Sequence, residues 1–127
     1  MQGEGLTKEI SNEWSFNGDH SLKLTKISET SSWYRFRVSP SLTQATITVK
    51  AKVYSPHTSL TLNLLQYNQN TVLDSESINI SQSESMQPIS ISKTLVENVN
   101  YIYFNFANNN GELGTAFYID DVFISIQ

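Results

Sequence analysis

Two adjacent acids sit inside the most strand-like stretch of the chain, FYIDDVFISIQ at residues 117–127. Counting by twos puts Tyr118, Val122, Ile124 and Ile126 on one face, with Asp120 among them. A carboxylate at the mouth of a buried face must be protonated, hydrogen-bonded or bound to a cation. Asp120 and Asp121 cannot form the carboxylate pair of a glycoside hydrolase. Neighbours on a strand point to opposite faces, and such a pair must face each other across about 5–10 Å. Each would need a distant partner such as Glu76 or Glu112. His20 and His57 both fall in turn segments, without a second ligand at metal-binding spacing. No G-x-S-x-G elbow marks a nucleophilic serine. The expected chemistry is therefore binding, not catalysis. The Asn79-Ile80-Ser81 sequon has meaning only in a eukaryotic secretory route.

A second set of residues carries more information. Trp33, Arg35 and Arg37 come from one alternating segment, Asn63 and Tyr67 from another, and Tyr101, Tyr103 and Asn105 from a third. Each group lies opposite the apolar positions of its own segment. Sugars present apolar C–H faces rimmed by hydroxyls. Flat rings cover the first, and planar amides and guanidinium groups bind the second. Exposed Trp and Tyr in number are unusual enough to point to binding. The competing reading is that these rings are cross-strand pairs or lie under a loop. Trp33 would be the platform, Tyr67 and Tyr103 its seconds, and Arg35, Asn63 and Asn105 the hydroxyl partners, provided the three segments share a sheet.

The elements that must position these residues are strands. Residues 45–54 (ATITVKAKVY) alternate most cleanly, with Ile47, Val49, Ala51 and Val53 on one face and Thr46, Thr48, Lys50 and Lys52 on the other. Similar alternation marks 21–27, 33–38, 59–67 and 101–106, with 117–127 as the closing strand. A short edge strand is expected at 6–10, and weaker strands at 73–80 and 89–92 flank a Ser/Gln-rich loop at 81–87. Turn signals such as Asn17-Gly18-Asp19-His20 and Asn68-Gln69-Asn70 recur about every ten residues. Eight or nine strands and no helix predict an all-β, antiparallel two-sheet β-sandwich of the jelly-roll type, with the last strand in the interior of a sheet.

The 127 residues suit one domain, 1–127, large enough to need no staples. The absence of cysteine excludes disulfides and thiolate metal sites. A net charge of −4, with acids and bases mixed, offers no basic stripe to nucleic acid. No run of about 18 apolar residues inserts into a membrane, and Met1-Gln2-Gly3-Glu4 does not begin a signal peptide. Only 16% of residues are charged, and the Ser, Thr, Asn and Gln that replace them suit an extracellular module of a longer exported chain.

Trp14, the run Gly18-Asp19-His20-Ser21-Leu22-Lys23 and the closing 117–124 stretch together resemble the jelly-roll carbohydrate-binding modules appended to bacterial glycoside hydrolases, especially xylan- and β-glucan-binding types. Related domains occur in surface adhesins and phage tail proteins. The resemblance covers the whole chain in pattern and about a fifth in motif. It implies a non-catalytic polysaccharide- or glycan-binding module of an extracellular or surface protein, or else a structural or adhesive domain on the same fold without a sugar site. A small hydrolase is a third, weaker expectation. The resemblance also implies a structural calcium joining the N-terminal segment to the last strand. The matching positions are Glu9 or Glu4, Asp19 and Asp120. The Gly-Phe-Glu-like run that usually carries the early acid is missing here.

Overall fold

The computed structural model describes residues 2–11, 13, 20–29, 32–40 and 45–127. Trp14, Gly18 and Asp19 lie outside the described residues. Among the described residues there are ten strands: β1 (Gln2–Glu4), β2 (Leu6–Ser11), β3 (Ser21–Lys26), β4 (Trp33–Val38), β5 (Thr46–Ser55), β6 (Leu60–Asn68), β7 (Thr71–Ile80), β8 (Ser83–Thr94), β9 (Tyr101–Ala107) and β10 (Ala116–Ile126). They form two antiparallel five-stranded sheets, one ordered β1-β4-β9-β6-β7 and the other β2-β3-β10-β5-β8. This is the expected jelly-roll sandwich, and β10 does occupy the middle of its sheet.

The core lies between the sheets, built by the period-two rule. Tyr34 from β4, Leu60, Leu62 and Leu64 from β6, and Ile102, Phe104 and Phe106 from β9 face Leu24, Ile47, Val49, Ala51, Val53, Phe117 and Ile119. Phe36 packs edge-on against both Tyr34 and Phe106, at centroid distances of 5.3 and 6.4 Å. Burying each such aliphatic or aromatic side chain contributes roughly 1.5–3 kcal/mol, which is why the alternation was so legible.

Three departures from the sequence reading have physical causes. First, the N-terminal segment is two strands, not one. Gly5, at φ 68°, breaks the chain so that β1 joins one sheet and β2 the other. That positive φ is a conformation only glycine adopts freely. Second, the expected Ser/Gln-rich loop is mostly strand, because β8 begins at Ser83 and pairs along β5 from Ser83↔Ser55 to Thr94↔Thr46. As an edge strand it needs backbone partners on one side only and can be polar.

Third, β10 carries a bulge. Asp120 pairs with Lys52 and Phe123 with Lys50, so Asp121 and Val122 together oppose the single residue Ala51. Asp121 sits at φ 54°. The extra residue reverses the parity of the strand. Ile124 and Ile126 face inward as expected, but before the bulge the inward residues are Phe117 and Ile119. Tyr118 and Asp120 face outward, so Asp120 does not share the inward face of Ile124 and Ile126, although it borders a cavity that reaches Tyr34, Phe36 and Ile119. Its Oδ1 instead accepts the Asp121 amide at 2.8 Å.

Buried polar groups tie the sheets together at their ends. Gln66, fully buried in line with the leucines of β6, donates through Nε2 to Thr94 O (3.1 Å) and Asp74 Oδ2 (3.2 Å), and accepts Val96 N through Oε1 (2.8 Å). Beside it Lys93 of β8 reaches across to Glu76 (2.9 Å) and Asp74 (3.6 Å) on β7. Elsewhere in the sandwich, buried Asn108 accepts Gly111 N (2.9 Å) and Thr58 Oγ1 (3.2 Å), donates to Thr115 Oγ1 (3.1 Å), and offers its carbonyl to the buried Lys26 ammonium at 3.0 Å. These bonds fasten the 108–114 loop.

Candidate functional site

The condition set by the sequence is met: β4, β9 and β6 are adjacent strands of one sheet. Register brings their outward residues into rows. Arg35 lies opposite Asn105, which lies opposite Asn63, which lies opposite Ser77 of β7. The next row runs Arg37, Tyr103, Leu65, Ser75, and beyond it Tyr101 faces Tyr67. All eight expected binding residues therefore share one face. Ser75 and Ser77 extend it, and were missed because β7 alternates weakly. Glu4 flanks it opposite Trp33 on β1.

The rings on this face are not bare. Tyr67 and Tyr101 stack at 5.0 Å with planes 9° apart, and Tyr103 meets both edge-on at 5.5 and 5.2 Å. The Arg35 guanidinium lies 3.8 Å from the Tyr103 centroid and 4.6 Å from that of Trp33, while Arg37 lies 4.5 Å from that of Tyr101. Contacts of this kind contribute about 0.5–1 kcal/mol at exposed sites, more when shielded. The cross-strand-pair reading of the tyrosines is thus correct for their packing. Tyr103 is only 9% exposed, whereas Trp33 is half-buried and Arg37 exposed.

Polar groups complete the face. Asn63 Oδ1 accepts the Ser77 hydroxyl at 2.5 Å, and Tyr101 donates its hydroxyl to the Gln69 carbonyl. Asn105, between Arg35 and Asn63, has a buried Oδ1 with no hydrogen-bond partner among the described residues. An unmet acceptor of this kind costs about 1–3 kcal/mol.

The expected metal positions are less well assembled. Glu9 and Asp120 border one cavity of about 480 Å³, together with Asp121 and His20. Glu9 Oε1 lies 3.9 Å from the Lys23 ammonium. Among the described residues no three or more His, Cys, Asp or Glu side chains come together as an ion would require, and Asp19 is outside them. Glu4 stands on the other sheet. Lys23 bonds instead to Glu13 at 2.6 Å, and Tyr118 donates to the same carboxylate at 2.8 Å. Those two hydrogen bonds, Lys23 first, hold Glu13 below the usual carboxylate range.

Comparison with known proteins agrees with this architecture. No family model and no curated protein matches the sequence. Among solved structures, the enzymatically active domain of tailspike protein 4 from bacteriophage CBA120 superposes with a TM-score of 0.79 at 12% identity, over 99% of this chain but only 18% of the other. The CBM22-1 xylan-binding domain of Xyn10C from Paenibacillus barcinonensis gives 0.74 at 9% identity, over 98% of this chain and 84% of that one. A family 16 carbohydrate-binding module gives 0.72 at 13% identity, over 95% of this chain and 86% of that one. The chain has the fold of the jelly-roll carbohydrate-binding modules, which it resembles along nearly its whole length.

Proposed function

We propose that this chain is a non-catalytic carbohydrate-binding module of an extracellular or surface protein, holding a polysaccharide on the outward face of β4, β9 and β6. The observation that carries the reading is the convergence of Trp33, Arg35, Arg37, Asn63, Tyr67, Tyr101, Tyr103 and Asn105 on one face. Neighbouring strands about 4.8 Å apart and alternate residues about 6.8 Å apart make this a surface for an extended chain, not for a single sugar. Trp33 is the ring that takes a pyranose face in this reading, since among the described residues it meets the Arg35 guanidinium but no other ring, whereas the three tyrosines pack on one another. Retention on a panel of insoluble and soluble polysaccharides tests the proposal. Trp33→Ala should weaken binding by up to about tenfold, on the order of 1 kcal/mol, without shifting the melting curve. Unchanged retention on a bound polysaccharide would remove this face from consideration.

A structural calcium held by Glu9, Asp19 and Asp120 is a separate part of the proposal, resting on the sequence resemblance and on the shared cavity of Glu9 and Asp120. An ion that binds only the folded state raises stability by mass action. Chelator should then lower the melting temperature, and Asp120→Ala should abolish the difference. An identical melting curve after metal stripping would defeat it.

A second reading is a structural or adhesive domain of a surface or phage-tail protein without a sugar site, in keeping with the fold it shares with part of a bacteriophage tailspike protein. A polysaccharide panel that yields no ligand would support it over the first.

A further inference from the structure

Asparagine followed by glycine is the dipeptide most prone to lose its side-chain amide, because a glycine nitrogen closes on the asparagine Cγ without a side chain in the way. The chain has two such pairs, Asn17-Gly18 and Asn110-Gly111. The first lies outside the described residues. The second stands in the 108–114 loop, where Asn110 is exposed to the water and hydroxide that the reaction uses.

The loop ties the two reacting groups to different partners. The Gly111 N–H donates to Asn108 Oδ1 at 2.9 Å, and Asn110 Nδ2 donates to Ser59 Oγ at 3.3 Å. Asn108 is fully buried and is itself held on every side. Its Oδ1 also accepts Thr58 Oγ1, its Nδ2 donates to Thr115 Oγ1, its N–H donates to the Ser32 carbonyl and its own carbonyl accepts the Lys26 ammonium. Gly111 fits beside it only because it lacks a side chain. A Cβ there would lie 2.5 Å from Thr115 Oγ1 and 2.6 Å from Asn108 Oδ1. Ring closure requires the Gly111 nitrogen to give up the proton that Asn108 holds and to turn toward Cγ. The clamp must open first.

We propose that Asn110 is a deamidation site guarded by Asn108, so that the loop is preserved while the clamp is shut and altered irreversibly once it opens. In the open loop the deprotonated Gly111 nitrogen attacks Asn110 Cγ. The new N–C bond forms, the Cγ–Nδ2 bond breaks, and ammonia leaves with a proton taken from water. The product is a five-membered cyclic imide. Water then opens it at either carbonyl, to aspartate or to isoaspartate. The balance is water gained and ammonia lost, with no change of oxidation state. Either product adds one negative charge to a chain whose net charge is −4. Isoaspartate also routes the backbone through the former side chain, one carbon longer, and the crowded seat of Gly111 has no room for that shift. The clamp then cannot close again in register.

The test follows deamidation of the intact chain in mildly alkaline buffer, folded and unfolded in guanidinium chloride. Mass spectrometry locates each altered asparagine, and enzymatic methylation counts isoaspartate. Unfolded, Asn17 and Asn110 should react at similar rates, since the dipeptide is the same. Folded, Asn110 should react at least about tenfold more slowly than unfolded, the suppression given by an opening free energy of about 1.4 kcal/mol. Asn108→Ala, shown by its melting curve to be folded, should restore most of the unfolded rate at Asn110. Thr115→Val removes one partner of Asn108 without touching the Gly111 bond and should raise the native rate part of the way, which keeps the test open if Asn108→Ala does not fold. Ser59→Ala should change the rate little, because its bond to Asn110 is long and exposed. Equal folded and unfolded rates at Asn110 overturn the proposal. A folded Asn108→Ala that reacts no faster than the wild type also overturns it, as does a Ser59→Ala variant that reacts as fast as the unfolded chain.

Discussion

Gln66→Leu replaces an amide by an apolar group of similar size in the fully buried row of β6. Leu fits the shape, and Leu60, Leu62 and Leu64 precede it on the same face. A purely hydrophobic account of the core would therefore have the change neutral or stabilising. The hydrogen bonds say otherwise. Losing the amide strands the Val96 N–H, deprives the Thr94 carbonyl of a donor, and removes a donor from the Asp74 carboxylate. A backbone group left unmet costs about 1–3 kcal/mol when buried and less where water reaches it, and both of these bonds are only partly buried. Two such groups, less the apolar gain of the leucine, give a loss of about 1–3 kcal/mol, or roughly 4–12 °C in melting temperature for a chain of this size. Urea unfolding of the two proteins, with equal m-values as the check on two-state behaviour, measures it. A loss below about 1 kcal/mol would mean that water replaces the amide and that Gln66 does not fasten this end of the sandwich.

Lys93 is held above the usual lysine range, first by its hydrogen bond to Glu76 and then by the charge of Asp74. Its contribution to stability is therefore complete below the unfolded lysine value and is lost as pH rises through the higher folded one. Urea midpoints between about pH 9 and 12 should fall more steeply for the wild type than for Lys93→Met. Parallel profiles would show that the ion pairs do not contribute. At Asp121, with φ 54°, Asp121→Gly should be neutral or stabilising by up to about 1 kcal/mol, whereas Asp121→Val should cost about 1–2 kcal/mol. Equal melting temperatures for the two variants would show that the bulge moves to another residue.

Much of this fold is visible in the sequence because most strands carry one wet face and one dry face. Residues 45–54 illustrate it: the sheet buries all four positions assigned inward, Ile47, Val49, Ala51 and Val53. The binding face was legible for the same reason, since naming inward positions on β4, β6 and β9 also names the outward ones. What could not be read is anything that breaks the period. The bulge in β10 reverses parity mid-strand, so period-two counting from Ile124 and Ile126 misplaced Asp120 and Tyr118. Edge strands escape too, because β8 needs neither apolar alternation nor strong propensity to pair along β5. The occupation of Tyr101 and Tyr103 by guanidinium groups depends on cross-strand register, which no single segment encodes.

The one-residue bulge has a consequence for how this chain tolerates changes of length. Central strands of sandwiches normally punish insertions and deletions, because a shift by one turns every later side chain over. In β10 the extra residue is already present, and both sides of it are pinned by pairing to β5, Asp120 to Lys52 and Phe123 to Lys50. Removing Asp121 would leave Val122 alone opposite Ala51, facing the core, with Phe123 still outward and Ile124 and Ile126 still inward. The middle of this sheet thus holds a position where relatives can differ in length by one residue without repacking. An alignment that forbids gaps inside strands would misplace half of the last one.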